Sequence, residues 1–330
     1  MNILAGKTMF IWKLAVCAGG NPVRLAEMAK DAGISTVIIK AADGIDDQNQ
    51  GTTSWGGPNL LPAAVDCLRS AGIRAIGWQY IYGANLIGIS IAANEARAAI
   101  RNIQKYRFDG WIVDPEKQYK RKGAAGWADV YMTALRSACP DVAIGLCSYR
   151  FPSLHPEIPW SNFLRRCDFH APQVYWMQAH NPGDQLRRSY RELMALKSMP
   201  FIPVGAAFVE AGWQPTVAEI NEFDRSAHEL QLAGVSWWEW GENGQGVEYH
   251  PEWWAAISAH DWSSSAPPGD SNPPQRVRVR ANGTNIRTAP HTQGTDAGDL
   301  TAGAIFDVVS ETGNYYQVKA FVAKSVVDPD

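Results

Sequence analysis

The sequence is short of the features that most readily identify a redox, nucleic-acid-binding or membrane protein. Its five cysteines show no Cys-x-x-Cys spacing, which predicts buried free thiols and neither a disulfide framework nor a metal site. The 30 lysines and arginines are outnumbered by 33 aspartates and glutamates, so no nucleic-acid-binding surface is expected. No run of about 18 uncharged apolar residues occurs, so we expect no membrane span.

Two N-terminal signals are missing as well. The apolar run Met9–Trp12 is interrupted by Lys13 and leads directly into a predicted helix, which favours a first core strand over a secretory signal. No glycine-rich phosphate loop follows that strand, since Gly19-Gly20 is only a turn. The sequence therefore predicts no cofactor.

Tryptophan, by contrast, is abundant, with 14 residues. Hydrophobic residues make up 46% and charged residues 19% of the chain, which indicates a globular protein with a substantial core. Some tryptophans must fill that core, but their flat faces also stack on the C–H-rich faces of sugar rings. The excess favours a carbohydrate ligand.

Short β-rich runs alternate with amphipathic helices over residues 1–262, which is typical of parallel α/β structure. The predicted strands are Met9–Ala15, Thr36–Ala42, Arg74–Tyr80, Gly110–Val113, Val142–Ser148, His170–Trp176, Phe201–Phe208 and Val235–Trp240. The predicted helices are Pro22–Ala32, Leu60–Ala71, Ala92–Tyr106, Gly126–Ala138, Pro159–Arg166, Pro182–Lys197, Val217–Leu232 and Pro251–Ala259. Eight such units predict a closed (β/α)8 TIM barrel, the alternative being an open doubly wound sheet.

The composition changes after the barrel. Residues 263–275 are rich in proline and serine without periodicity, which predicts a linker. Residues 276–330 alternate apolar and polar positions in short runs between glycines, which predicts a small all-β domain. We therefore expect three segments: a catalytic barrel, a linker and a small β-domain.

Asp114 and Glu116, at the end of the fourth predicted strand, are the strongest catalytic candidates, because functional groups of a TIM barrel gather at the carboxyl ends of its strands. Residues i and i+2 of a strand face the same side, roughly 6.6 Å apart along it. With Ile112 they should face the barrel interior. Two carboxylates at one mouth repel, so one should retain its proton, as a general acid needs.

Other polar and aromatic residues end neighbouring strands. The candidates for substrate binding are Asp43, Gln79, Tyr80, Gln173, Trp238, Glu239 and Trp240, and Tyr175 is a third catalytic candidate. The amide of Gln173 and the hydroxyl of Tyr175 could hold the acetamido group of an N-acetylated sugar. One face of the last strand should be core and the other the floor of a sugar site.

Each of these assignments has an alternative. Asp114 and Glu116 could cap a helix or form a surface ion cluster with the lysines and arginine of residues 117–121. The hydroxyl of Tyr175 could bond to a core neighbour. Glu210 could be a nucleophile after strand seven, although a loop or cap role is favoured beside Gly212. Lys40 could form Schiff bases, although an ion pair with Asp43 is favoured.

Segments of the barrel resemble two glycoside hydrolase families. Residues 33–44, with Lys40 and Asp43-Gly44 at the end of the strand, and Asp114-Pro115-Glu116 are similar to the lysozyme-type family 25. More loosely, the barrel resembles the chitinase-type family 18. The resemblance implies that Glu116 donates a proton, that Asp114 assists, that Tyr175 supports attack by the substrate's own acetamido oxygen, and that Trp238 or Trp240 lies beneath the sugar.

A second resemblance lies in the C-terminal segment. Thr284-Asn285-Ile286-Arg287-Thr288-Ala289-Pro290 is similar to a signature of bacterial SH3-like domains, and Gly313–Val318 continues that pattern. Domains of this family often bind cell walls. The resemblance implies an SH3-like barrel that holds a wall hydrolase on peptidoglycan.

Together these features predict a peptidoglycan-cleaving glycosidase of the lysozyme or endolysin type. Two alternatives stay open: a non-catalytic glycan-binding barrel, because family 25 ends strand one in an acidic residue where this chain has Trp12-Lys13, and a glycosidase for another polysaccharide that uses Glu116 and Glu210. Without a secretory signal, the protein would reach a wall as a released endolysin or after removal of a leader. The oligomeric state is left open.

Overall fold

The computed structural model describes residues 5–50, 58–241 and 245–262, and beyond them the backbone of five short strands between residues 276 and 318. The chain divides into two compact units, Met1–Pro267 and Pro268–Asp330. The predicted linker, 263–275, lies outside the described residues. In the described part of the chain, every helix is too short or too polar to cross a membrane.

Parallel strands form the centre of the first unit. They are β1 (Gly6–Ile11), β2 (Ile34–Asp43), β4 (Arg74–Ile81), β5 (Gly110–Pro115), β6 (Ala143–Leu146), β7 (Phe169–His170), β8 (Gln173–Val174), β9 (Val204–Ala206) and β10 (Gly234–Trp238), with β3 (Asp46–Asp47) pairing antiparallel to β2. The strand order is β7-β6-β5-β4-β2-β1-β10-β9-β8. The strands β7 and β8 stand at the two ends of this order, yet they are separated by only two residues of the chain. Because of this, and because His170 pairs with Phe201, the sheet closes into a barrel.

Helices alternate with these strands. They are α1 (Pro22–Asp31), α2 (Leu61–Ser70), α3 (Ala92–Tyr106), α4 (Ala124–Ala138), α5 (Trp160–Leu164), α6 (Pro182–Leu196), α7 (Val217–Glu229) and α8 (Pro251–Ala259). Side-chain caps explain where two of these helices begin: the Asn21 side chain caps α1 ahead of Pro22, and Thr216 forms a capping box with Glu219 at α7. The predicted barrel architecture is confirmed.

The ends of some strands differ from prediction. The first strand was expected to reach Ala15 but ends at Ile11, because Leu14–Val16 forms a 3-10 turn and the Leu14 amide donates to the side chain of Asn49. Trp12, the residue that follows the end of this strand, lines a cavity at the barrel mouth.

The core has two layers. A small cluster inside the barrel includes Phe10, Trp78 and Ile112, and a larger one fills the space between strands and helices. Trp111 belongs to the outer layer, so the predicted alternation along β5 is confirmed. Its ring lies 2.4 Å from the position of a Cβ on Gly77, so only glycine fits there on the neighbouring strand.

The second unit contains only β-strands among its described residues. They are β11 (Arg276–Arg278), β12 (Thr284–Arg287), β13 (Asp296–Leu300), β14 (Ile305–Thr312) and β15 (Tyr315–Val318). All pairs are antiparallel, in the orders β11-β14-β15 and β12-β13. The side chains of the SH3-like signature lie outside the described residues, so that assignment stays a prediction.

Candidate active site

A cavity of about 540 Å³ opens at the carboxyl ends of the barrel strands. Seven of the ten residues predicted for the site line it, namely Asp43, Tyr80, Asp114, Glu116, Gln173, Tyr175 and Trp238. They come from strands far apart in sequence that meet at this end because the strands are parallel. The cavity is the centre of the candidate site.

Asp114 and Glu116 are linked through one amide group. Gln173 Nε2 donates to Asp114 Oδ1 at 3.1 Å and to Glu116 Oε1 at 2.9 Å, so the two oxygens are at most 6.0 Å apart, the sum of these distances. The bend between the two acids is fixed by Ser148, whose hydroxyl donates to the Pro115 carbonyl at 2.6 Å. Gln173 therefore positions both carboxyl groups on the same side of the cavity.

The two carboxyl groups differ in their environments. Asp114 is only 6% exposed, whereas Glu116 is half-buried. Burial raises the pKa of Asp114 well above its usual range, and the charge of Glu116 raises this pKa further, while Lys40 opposes the shift. The Asp114 carboxyl group therefore holds its proton more tightly than an ordinary aspartate, as the sequence predicts for one of the two acids.

The alternative in which this pair belongs to a surface ion cluster or a helix cap is wrong. Neither carboxylate forms an ion pair with Lys117, Lys120 or Arg121 within the described part of the chain. The 3-10 helix Lys117–Lys120 has no side-chain cap from Glu116, and α4 begins after Gly123 without one. Both acidic side chains lie in the cavity instead.

Aromatic rings form one wall of the cavity. The Trp238 ring lies 5.7 Å from Phe10, 5.5 Å from Trp78 and 6.3 Å from Trp12, centroid to centroid. Of the aromatic residues predicted at the end of the last strand, Trp238 lines the cavity, and its role as the floor of a sugar site stays a prediction. For Trp240 it is wrong: this ring is buried in the outer layer, 4.8 Å from Trp254.

Lys40 lies between two of these rings. Its ammonium is 5.4 Å from the Trp12 ring and 4.8 Å from the Trp78 ring, and it pairs with Asp43 at 2.5 Å. Tyr82 donates its hydroxyl to the other Asp43 oxygen at 2.6 Å. The predicted Lys40–Asp43 ion pair is confirmed, and the cation it holds partly offsets the two acids of the cavity.

Tyr175 presents its hydroxyl to the cavity. Its ring packs on Phe208 at 5.1 Å, and its hydroxyl makes no hydrogen bond within the described residues. The alternative of a hydroxyl bonded to a core neighbour is therefore wrong. Burial, followed by Cys147 and then the acids of the cavity, raises the pKa of Tyr175, so the hydroxyl stays protonated and available as a donor.

Gln79 and Glu239 are buried outside the cavity, which corrects their assignment to substrate binding. Gln79 donates to the carbonyls of Gly44 and Glu95 and accepts from Tyr131, because it alternates with Trp78 and Tyr80 and so faces the helices. Glu239 is 2% exposed and follows Trp238, the residue that does line the cavity.

Glu210 combines a turn with a place in the site. Its backbone pairs with Trp213 across a tight turn, in agreement with the favoured loop role. Its exposed side chain nevertheless lines the same cavity as Glu116. The alternative role as a nucleophile after strand seven is therefore compatible with its position.

Sequence reasoning missed several lining residues, among them Trp12, Trp78, Cys147 and Gln118. Trp78 could have been found, because it precedes Tyr80 by two residues and shares its side of the strand. The Tyr80 hydroxyl donates to Gln118 at 2.6 Å, a contact between β4 and the 3-10 helix Lys117–Lys120 that no local pattern indicates.

No protein-family model matches the sequence, and no curated protein does either. Solved structures similar to this chain include an endo-beta-1,4-mannanase from Thermotoga petrophila, with 11% identity, a TM-score of 0.59, and 84% of this chain and 80% of that one covered. A chitinase from Chromobacterium violaceum has 15% identity, a TM-score of 0.52, and 78% and 100% coverage. A GH18 chitinase from Cycas revoluta has 9% identity, a TM-score of 0.52, and 77% and 99% coverage. At these identities the likeness shows a shared TIM-barrel fold.

Proposed function

We propose that the barrel is a glycoside hydrolase that cleaves an N-acetylated glycan, with Glu116 as the general acid and Asp114 as its assistant. The observation that carries this is the pair of carboxyl groups bound by one Gln173 amide in a cavity with an aromatic wall. Glycosidic cleavage needs a carboxylic acid beside the leaving oxygen. The glycosidases among the similar structures add support through the fold.

The positions of the two acids suit unequal roles. Glu116 is the more exposed and can reach a glycosidic oxygen, whereas Asp114 lies behind it. An inverting pair needs about 6.5–9.5 Å between carboxyl groups to admit a water molecule. The closer spacing here, on one side of the cavity, favours Asp114 as a supporting group that Gln173 holds beside Glu116, and not as a separate nucleophile.

An acetamido group on the substrate would supply the missing nucleophile. In this scheme its oxygen attacks the anomeric carbon as Glu116 protonates the leaving oxygen. Water then opens the cyclic intermediate and returns a proton to Glu116. The free hydroxyl of Tyr175 is available to orient the acetamido group, and Trp238 to stack on the sugar ring. These two residues favour an N-acetylated glycan.

Peptidoglycan is the N-acetylated polymer that we propose as the substrate. The support is the C-terminal sequence similar to bacterial SH3-like domains, which often bind cell walls, and the similarity of the barrel strands to the lysozyme-type family. The protein would then act at a cell wall as an endolysin or an exported hydrolase. No cofactor takes part in the scheme.

Glu210 supports a second candidate function, because it follows strand seven and lines the same cavity as the strand-four acids. A retaining glycosidase with a protein nucleophile places its two carboxyl groups about 5–5.5 Å apart. Glu116 and Glu210 would form such a pair on a polysaccharide without acetamido groups. This mechanism needs no help from Tyr175.

The test is digestion of purified peptidoglycan, with mass spectrometry of the new reducing ends. Glu116→Gln should lower product release by on the order of 10³-fold while wall binding persists. Glu210→Gln is the matched control and should leave release within a few-fold of the unchanged protein. Full activity of Glu116→Gln would remove the strand-four assignment.

Two further outcomes separate the alternatives. Loss of activity in Glu210→Gln, together with products from glycans that lack acetamido groups, would favour the Glu116–Glu210 pair. Binding to cell walls with unchanged turbidity and no new reducing ends would identify a non-catalytic barrel.

A further inference from the structure

The segment between β4 and α3 carries the most exposed large apolar side chains in the described residues. Leu86 is 100% exposed, Ile87 81% and Ile89 60%. They lie at the tip of a hairpin in which Ala84 pairs with Ser90. The Gly88 amide donates to the Asn85 carbonyl at 3.0 Å, and the Ile89 amide to Asn85 Oδ1 at 2.8 Å. The tip, which we call the apolar hairpin (84–90), is therefore a hydrogen-bonded structure.

The composition of this turn is unusual. Asparagine, aspartate, glycine and proline dominate the central positions of tight turns, because they satisfy the backbone there. This chain has Leu86 and Ile87 at those positions, both facing solvent. Neither side chain contributes to the barrel core, so their hydrophobic surface is left for contact with another apolar phase.

A positively charged segment lies beside the hairpin. Residues 117–122, the basic segment, contain Lys117, Lys120, Arg121 and Lys122. Arg121 Nη1 donates to the Asn85 carbonyl at 3.4 Å, which joins the segment to the base of the hairpin. None of the four cations forms an ion pair with a carboxylate in the part of the chain that the structure describes. Lys117 lines the cavity and Lys120 contacts His155 at 2.8 Å, so the charge beside the hairpin comes from the exposed Arg121 and Lys122.

We propose that the apolar hairpin and the basic segment form a docking surface for an anionic lipid bilayer. Aliphatic tips that enter the acyl boundary, with cations beneath them at the level of the phosphates, are the combination by which proteins bind such surfaces reversibly. A soluble anionic glycan would explain the cations but not the exposed aliphatic side chains, since sugars stack on aromatic faces. A protein partner would account for the aliphatic tip without requiring the cations.

The orientation of the docked barrel follows from the topology. The hairpin follows the carboxyl end of β4 and the basic segment that of β5, so both lie at the mouth of the cavity. Docking therefore brings the mouth toward the bilayer surface. If the proposed glycosidase function holds, this consequence favours glycans that lie at, or are anchored in, a membrane.

The experiment is co-sedimentation of the full chain with vesicles of phosphatidylcholine and phosphatidylglycerol, compared with vesicles of phosphatidylcholine alone. The protein should bind the anionic vesicles, and added salt should weaken binding. The double variant Leu86→Ser/Ile87→Ser should bind the anionic vesicles at least about tenfold more weakly. Arg121→Gln/Lys122→Gln should weaken binding by roughly tenfold.

Leu196→Ser is the matched control, because Leu196 is also aliphatic and 50% exposed but ends α6, away from the mouth. It should bind like the unchanged protein, and all variants should unfold at the same denaturant concentration. Equal binding to both vesicle types, or unchanged binding by the Leu86/Ile87 variant, would overturn the assignment.

Binding of a soluble anionic polysaccharide in place of vesicles, lost in the Arg121/Lys122 variant, would also overturn it in favour of a glycan ligand. Hydrolysis of soluble glycan is measured separately and should be unchanged in the Leu86/Ile87 variant. Failure of the proposed catalytic function would leave the vesicle result as it is, so the two failures are distinguishable.

Discussion

Two carboxyl groups, Asp114 and Glu95, lie on opposite sides of the barrel wall. Asp114 is 6% exposed inside the mouth, and Glu95 is fully buried on α3, outside the wall. Burial raises the pKa of both, that of Glu95 to about 7. They differ in their partners, because Glu95 accepts from the amides of Tyr82 at 2.6 Å and Gly83 at 2.9 Å, whereas Asp114 shares Gln173 with a second acid.

The difference teaches that a perturbed buried acid is not by itself a catalytic group. Glu95 is sealed beneath the loop it anchors, and its two hydrogen bonds fix the backbone that presents Tyr82 to the cavity. Asp114 opens into the cavity beside Glu116. Access to the cavity, and a second acid beside it, mark Asp114 as the candidate functional group of the two.

The largest expected effect separates these two acids by activity. Asp114→Asn preserves the shape and the acceptor for Gln173 but removes the ionisable carboxyl group beside Glu116, so glycan cleavage should fall by on the order of 10³-fold, about 4 kcal/mol in the barrier. Glu95→Gln is the control and should stay within a few-fold. Rates on a soluble glycan measure both, and equal losses would end the distinction between the two sites.

Glu95 should instead appear in the pH dependence of stability. Burial raises its folded pKa from the ordinary value of 4.5 to about 7, so the unfolded chain ionises first as the pH rises. Below pH 4.5 both states hold the proton and the full stability is present. The free energy of unfolding falls as the pH rises from 4.5 to about 7, and above pH 7 it is lower by about 3 kcal/mol. Urea unfolding at acid and alkaline pH should show this loss in the unchanged protein.

Glu95→Gln should reduce that loss, because the amide does not ionise. The difference between the two proteins isolates Glu95 from the other acids that titrate in the same window. An identical pH dependence in both would mean that Glu95 does not titrate there.

The smallest expected effect compares two tyrosines on either side of the wall, the buried Tyr131 and the half-buried Tyr175. The Tyr131 hydroxyl donates to Gln79 at 2.6 Å and accepts from Trp111 at 3.2 Å. Tyr131→Phe leaves both partners unsatisfied and should lower the free energy of unfolding by about 1–3 kcal/mol. Tyr175→Phe should change stability less but activity more. The reverse ranking would place Tyr175 in the structural core.

Much of the site was predictable because strand alternation is local. The positions of Asp114, Glu116, Gln173 and Tyr175 on the inner face follow from counting by two from buried neighbours. The same alternation shows why the assignment of Gln79 is wrong, because a strand cannot present both Gln79 and Tyr80 to one side. Trp240 was misassigned because its strand ends at Trp238.

The sequence by itself determined the barrel, since eight amphipathic strand–helix units must bury their apolar faces around one another, and it placed an acid pair at the end of the fourth strand. Only the tertiary structure decided that the pKa of Asp114 is raised, because that shift depends on burial and on Gln173 and Lys40, which are distant in sequence. It also decided that Glu210 faces the cavity, and that the apolar hairpin lies beside the basic segment. Asp114-Pro115-Glu116 becomes a candidate active site through these through-space contacts.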